Sequence, residues 1–241
     1  MRKSRRADYN LTDEQVMSLA CGAGFSLRRW LQPPCSARAL KRPLRAKARS
    51  SAILGLLFLT AGAASAEDIT YWVQPCTVLA SLACAPEDMD LARWAFAAWE
   101  KASEGKIHLI ESKDRESAQF QLLWAEKDGG LYGETERILV RGKPGAAIHV
   151  LAEPVGKGDR LLRDTIVYLT CLHESGHALG LNHTREFADI MYSFQYGGDI
   201  EEYFGRYRRK LTTRDDIRKY PGMSPADREA LLESISKGVL R

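Results

Sequence analysis

The run His173-Glu-Ser-Gly-His177-Ala-Leu-Gly180-Leu-Asn-His183 constrains this chain more than any other feature. His173 and His177 stand four residues apart, about one helical turn, so both imidazoles project from the same side. Leu162, Ile166 and Leu169 extend that face upstream at helical period and predict a helix over 159–179 whose histidines continue an inward-facing apolar stripe. Val167, Cys171 and Ala178 form a second apolar side, so the helix is expected to lie between two layers. Gly180, three residues after His177, can take the left-handed conformation that ends a helix, turning the chain so that His183 approaches the other two.

Three neutral imidazole nitrogens suit zinc and leave its fourth tetrahedral position open, as in a catalytic site rather than a closed structural one. Glu174 lies between the first two histidines and is not needed as a ligand, which makes its carboxylate the candidate general base. A lone histidine on an apolar face is ordinarily a core residue. Here three of the chain's five histidines share the spacing, with the glutamate and glycine in place.

The flanking pattern predicts a strand over 69–73, a helix over 87–104 with a stripe through Leu91, Trp94, Ala95, Ala98, Trp99 and Ala102, and strands over 106–111 and 118–125. In the last of these Phe120, Leu122 and Trp124 alternate with Gln119 and Gln121, which means one buried face. Glycine-rich turns bracket two more strands, 134–141 and 146–152, before the histidine-bearing helix. The order is strand, helix, four strands, long helix.

Apolar residues at 45% and charged residues at 27% are ordinary for a globular chain and exclude a fibrous or disordered one. The formal charge of +4 is uneven: residues 1–66 carry 12 Lys/Arg against 3 Asp/Glu, and the remainder 23 against 28. The positive excess therefore sits in a segment with the layout of a leader, which argues against a nucleic-acid partner. A basic stretch around Arg38 to Arg49 precedes the apolar run 52–59 and then Ala64-Ser65-Ala66, the small residues of a signal-peptidase site. That run is too short to span a bilayer. The reading is a basic extension over 1–43, longer than a usual leader and consistent with a later start codon, a signal peptide over 44–66, and one domain over 67–241. The product would be secreted or periplasmic, with no membrane anchor after cleavage.

Beyond the motif, Met191 stands eight residues after His183 in Ala188-Asp-Ile-Met191-Tyr192, and Leu211-Thr-Thr-Arg-Asp215-Asp216-Ile217 follows. With these features residues 68–220 resemble the metzincin metallopeptidases, and within them the matrixins and their bacterial relatives. The resemblance implies an α/β (α+β) zincin-like fold: a twisted, mixed five-stranded sheet, a long active-site helix, a small C-terminal helical subdomain, and a methionine turn beneath the metal. It also implies that substrate lies extended along an edge strand, assigned to 134–141, and that 211–217 begins the C-terminal helix. Tyr192 directly follows Met191, so no tyrosine ligand is assigned, and Ser193 stands where the family has proline. His149 and His108 are read as non-ligands, with calcium and a second zinc not expected.

Export would allow Cys76 and Cys84 to pair, with Cys171 left as an inert core thiol. The aromatic and basic segment 192–211 is read as a solvated loop with anchoring aromatics, or, through Tyr192, Phe194 and Tyr196, as a specificity wall beside the cleft. The expected activity is a monomeric, secreted zinc endopeptidase acting on protein or peptide, with one ion on His173, His177 and His183, Glu174 as base, and Gly180 and Met191 in support. The alternative is a secreted zinc-containing binding module that cuts nothing.

Overall fold

A computed structural model describes residues 66–76, 84–125, 132–152 and 158–238; the expected extension and signal peptide lie outside these, apart from Ala66. Strand β1 (Glu67–Val73) is followed by helix α1 (Asp88–Ala102), β2 (Ile107–Glu111), β3 (Phe120–Trp124), β4 (Gly133–Val140), β5 (Lys143–Val150) and helix α2 (Arg160–Ala178). Two further helices, α3 (Ile200–Arg208) and α4 (Pro225–Lys237), complete the chain.

The five strands form one sheet in the order β2-β1-β3-β5-β4, parallel except for β4, which runs antiparallel to β5. The mixed five-stranded sheet expected from the resemblance is therefore present. Registers such as Val73↔Leu122 and Leu122↔Ile148 align the period-two apolar positions into rows across one face. Ile69, Phe120, Leu122, Ala146, Ile148 and Val150 are fully buried there, together with Leu91, Ala95 and Trp99 of α1 and Val167 and Leu172 of α2.

Parallel strands usually need a long crossover, yet only residues 112–119 carry the chain from β2 across β1 to β3. The stagger explains it: β2 ends at Glu111 opposite Tyr71, and β3 begins at Phe120 opposite that same Tyr71, so no return along the strand is required. Ser112 N–H donates to Tyr71 O at 2.7 Å as the link arches over β1.

Helix α2 starts where Asp159 caps the Leu162 amide at 3.0 Å. Nearly every side of its middle is buried, because α1, α3 and strands β4 and β5 all pack on it. Arg163 ties its first turns to α1 by a forked pair with the buried Asp88, and to the chain just past the end of β5 by a 2.6 Å bond to Ala152 O. None of the described helices is long and apolar enough to cross a membrane.

Two readings of the sequence need correction. The segment 192–211 is not merely a loop: α3 forms in it, with Asp199 capping Glu202 N at 3.0 Å and Tyr203, Phe204 and Tyr207 buried. Residues 211–217 do not begin the C-terminal helix. They end in a 3-10 turn (Arg214–Arg218), and α4 starts only after Pro221-Gly222, where Ser224 and Asp227 form a capping box.

Candidate metal centre

Gly180 ends α2 with φ of +87°, and the helix closes as a Schellman motif: Leu181 N–H donates to Gly176 O at 3.0 Å and Gly180 N–H to His177 O at 2.9 Å. This reversal brings His183 back over the last turn. Its Nε2 lies 3.2 Å from His173 Nε2 and 3.0 Å from His177 Nε2. Among the described residues, these three form the group whose ligand atoms, all within 4.8 Å of one another, could hold a metal ion.

The other ring nitrogens decide what the convergence means. His173 Nδ1 is 2.6 Å from Ile190 O and His177 Nδ1 is 2.9 Å from Leu181 O. A carbonyl only accepts, so both Nδ1 atoms carry the proton and both Nε2 atoms present lone pairs. Both lone pairs meet at His183 Nε2, whose single proton could satisfy only one of them well, whereas a cation among the three nitrogens satisfies all; backbone carbonyls behind ligating imidazoles are the usual support of a metal site. The donor set thus fits a zinc ion. Burial pushes His173 and His177 below the ordinary imidazole range, and burial together with the two neighbouring rings takes His183 down to about 4. All three stay neutral near pH 7, as ligands must.

Glu174 is 6% exposed. Thr135 of β4 donates its hydroxyl to Glu174 Oε2 at 2.8 Å and lies 2.9 Å from Glu174 O. Burial raises the carboxyl above its usual range, while the Thr135 hydroxyl pulls the other way. Gly133 allows the strand this close: a β-carbon there would stand 2.6 Å from Glu174 Cγ and 2.8 Å from Thr170 Cγ2.

Met191 is 1% exposed and packs beneath the motif. A β-carbon on Gly176 would meet Met191 Sδ at 2.5 Å and Trp99 Cζ2 at 3.0 Å. Trp99 in turn donates its indole N–H to Leu172 O at 2.9 Å, so α1 grips α2 at the residue before His173. The methionine turn itself hangs on Asp227 of α4, whose buried carboxylate accepts Ile190 N–H at 2.8 Å and Met191 N–H at 3.3 Å. Tyr203 of α3 places its hydroxyl 3.0 Å from Asp189 O and 3.2 Å from Ile190 O.

Of the remaining sequence candidates, Tyr192 and Phe194 pack on each other with ring centroids 5.5 Å apart and both on Tyr203, while Tyr196, His108 and His149 lie apart from them. Tyr192 turns inward, with its hydroxyl on Gly197 O; Phe194 is half-buried against Tyr203; Tyr196 is exposed under the Arg185 guanidinium. His108 faces Glu100 on the far edge, and His149 sits opposite Glu134. Sequence reading missed Gly133, Thr135, Gly176, Tyr203 and Asp227. Two had a signal: a glycine inside a helix is costly, and Ser224-Pro-Ala-Asp227 is a capping-box pattern.

No family model matches this chain, and no curated protein matches it. Among solved structures it is similar to archaemetzincin from Methanopyrus kandleri, with 11% identity and a TM-score of 0.42 over 73% of this chain and 99% of that one.

Proposed function

We propose that this chain is an exported zinc-dependent endopeptidase of the metzincin type, in which His173, His177 and His183 hold one ion and Glu174 is the general base. The observation that carries the reading is the pair of Nδ1–H donations to Ile190 O and Leu181 O, which leaves the Nε2 lone pairs of His173 and His177 both aimed at His183 Nε2. An ion held by His173, His177 and His183 would supply Lewis acidity, able to polarise a peptide carbonyl and to lower the pKa of water from about 15.7 to roughly 7. Glu174, whose carboxyl burial raises above its usual range, is suited to accept a proton and to hand it to the leaving amine. Thr135 occupies Oε2 and so leaves Oε1 for that transfer.

The edges of the sheet favour an extended peptide as substrate. On β2 the Ile107 amide is taken by Ser103 Oγ at 3.3 Å and the Leu109 amide by Glu100 Oε2 at 3.1 Å, so strand addition there is blunted. On β4 the Leu151 N–H to Tyr132 O bond sets the antiparallel alternation, which turns the peptide groups of Gly133, Thr135, Arg137 and Leu139 outward, beside Glu174. A substrate pairing with that edge would be carried past the three histidines. The Cys76–Cys84 disulfide supports export, since such bonds persist in oxidising compartments.

The test is turnover of casein or a peptide library by residues 67–241, with Glu174→Gln alongside. Cleavage that a chelator abolishes and zinc restores, with the variant inert but still zinc-loaded, is the expected result. Wild type and variant equally inert while both hold stoichiometric zinc would instead favour the binding module.

A further inference from the structure

Helix α3 was not anticipated as an element, yet it reaches the metal centre through one side chain. The Tyr203 hydroxyl has a single proton, and it lies 3.0 Å from Asp189 O and 3.2 Å from Ile190 O, bridging consecutive carbonyls of the methionine turn. Ile190 O is also the atom that His173 Nδ1–H meets at 2.6 Å. The nitrogen side of the turn is held separately, by Asp227 Oδ2 on Ile190 N–H at 2.8 Å. Of these contacts, Tyr203 alone grips the oxygen that His173 uses.

The ring is locked where it stands. Tyr203 is 5% exposed, meets Phe187 and Phe194 edge to face, stacks on Tyr192, and carries the Arg206 guanidinium 4.5 Å over its own ring. A phenylalanine would fill the same space, but the carbonyls would then lose a donor. Packing accounts for the ring and leaves the hydroxyl to be explained by what it touches.

We propose that Tyr203 is a positioning residue for the metal ligand His173: its hydroxyl aims the Ile190 carbonyl at the imidazole, so that α3 governs how firmly the first histidine holds its ion. This rests on the reading that the three histidines bind zinc, and does not depend on peptide being the substrate. With the carbonyl no longer pinned, the His173 Nδ1–H bond lengthens and the ring gains freedom to swing. Loss of the direct hydrogen-bond partner of a ligating histidine weakens metal binding about 10- to 100-fold; acting one bond further out, Tyr203→Phe is expected to weaken zinc by roughly 3- to 10-fold.

The experiment compares Tyr203→Phe with Tyr207→Phe. Tyr207 is a buried tyrosine one turn along the same helix, and its hydroxyl meets Tyr220 O, away from the methionine turn. Two quantities are read: zinc Kd by competition with a chromophoric chelator, and the His173 Nδ1 proton resonance in metal-free protein. Tyr203→Phe should raise Kd and move the resonance upfield, whereas Tyr207→Phe should lower the melting temperature and leave both unchanged. Unchanged Kd and resonance in Tyr203→Phe, or an equal loss of affinity in Tyr207→Phe, would overturn the proposal. A wild type that binds zinc yet cuts no peptide would remove the endopeptidase reading alone.

Discussion

Gly133 stands so close to Glu174 that a β-carbon on the glycine would fall 2.6 Å from Glu174 Cγ and 2.9 Å from its Oε1. The edge strand and the glutamate are thereby held as one unit, with the Thr135 hydroxyl closing the contact at 2.8 Å. Gly133→Ala must either push β4 outward or rotate the carboxylate away. Overpacking of this kind costs about 1–3 kcal/mol, so the variant should melt several degrees lower. Its turnover should fall at least about tenfold, as displacement of a positioned catalytic group implies. Thermal denaturation and steady-state kinetics on one peptide check both.

Gly176 is packed as tightly: a β-carbon there would fall 2.5 Å from the sulfur of Met191, a flexible side chain, and 3.0 Å from Trp99 Cζ2. Replacing a mid-helix glycine with alanine gains roughly 1 kcal/mol of helix propensity. Gly176→Ala should therefore change stability little while it displaces the methionine and weakens zinc. Adding Met191→Ala should recover part of that affinity, and a double-mutant cycle on zinc Kd measures the coupling.

Asp227 joins α4 to the methionine turn by accepting the amides of Ile190, Met191 and Ser224. Hydrogen bonds to a buried charge are each worth about 1.5–3 kcal/mol, and they are not additive. Asp227→Asn keeps the shape but loses the charge and one acceptor. It should lose about 2–4 kcal/mol by urea denaturation, with zinc binding weakened as well.

The metal-free protein should be acid-sensitive in a defined window. His173, His177 and His183 all titrate below the ordinary imidazole value because burial disfavours their charged forms, and His183 lies at about 4. Between roughly pH 6.5 and that value the unfolded chain binds more protons than the folded one, so stability is full above pH 6.5 and falls as the pH is lowered. Zinc binding should oppose the fall. Melting temperature against pH, with chelator and with zinc, is the check.

Much of this architecture could be read from residue order alone. The helix 159–179, the strand and helix sequence before it and the turn at Gly180 followed from period and punctuation, because each is dictated by neighbours within a few residues. The meeting of the three histidines was legible for the same reason: all lie within one helix and its terminal turn. Gly133, Thr135 and Tyr203 were not, since their importance arises from contacts across 13 to 41 positions that no local pattern encodes. Helix α3 hid behind its aromatic and basic composition. Its Asp199 cap and the 203/207 spacing mark it only once the turn it packs against is known.

The claim on which everything turns is that three imidazoles surround one ion and leave a position open. X-ray absorption at the zinc edge, on residues 67–241 loaded with one equivalent of zinc, tests it most directly. The account predicts three nitrogen scatterers at about 2.0–2.1 Å with imidazole outer-shell features, plus one light oxygen ligand. Loss of one imidazole in His183→Asn should follow. A fourth protein ligand in wild type, or a spectrum unchanged by His183→Asn, would contradict it.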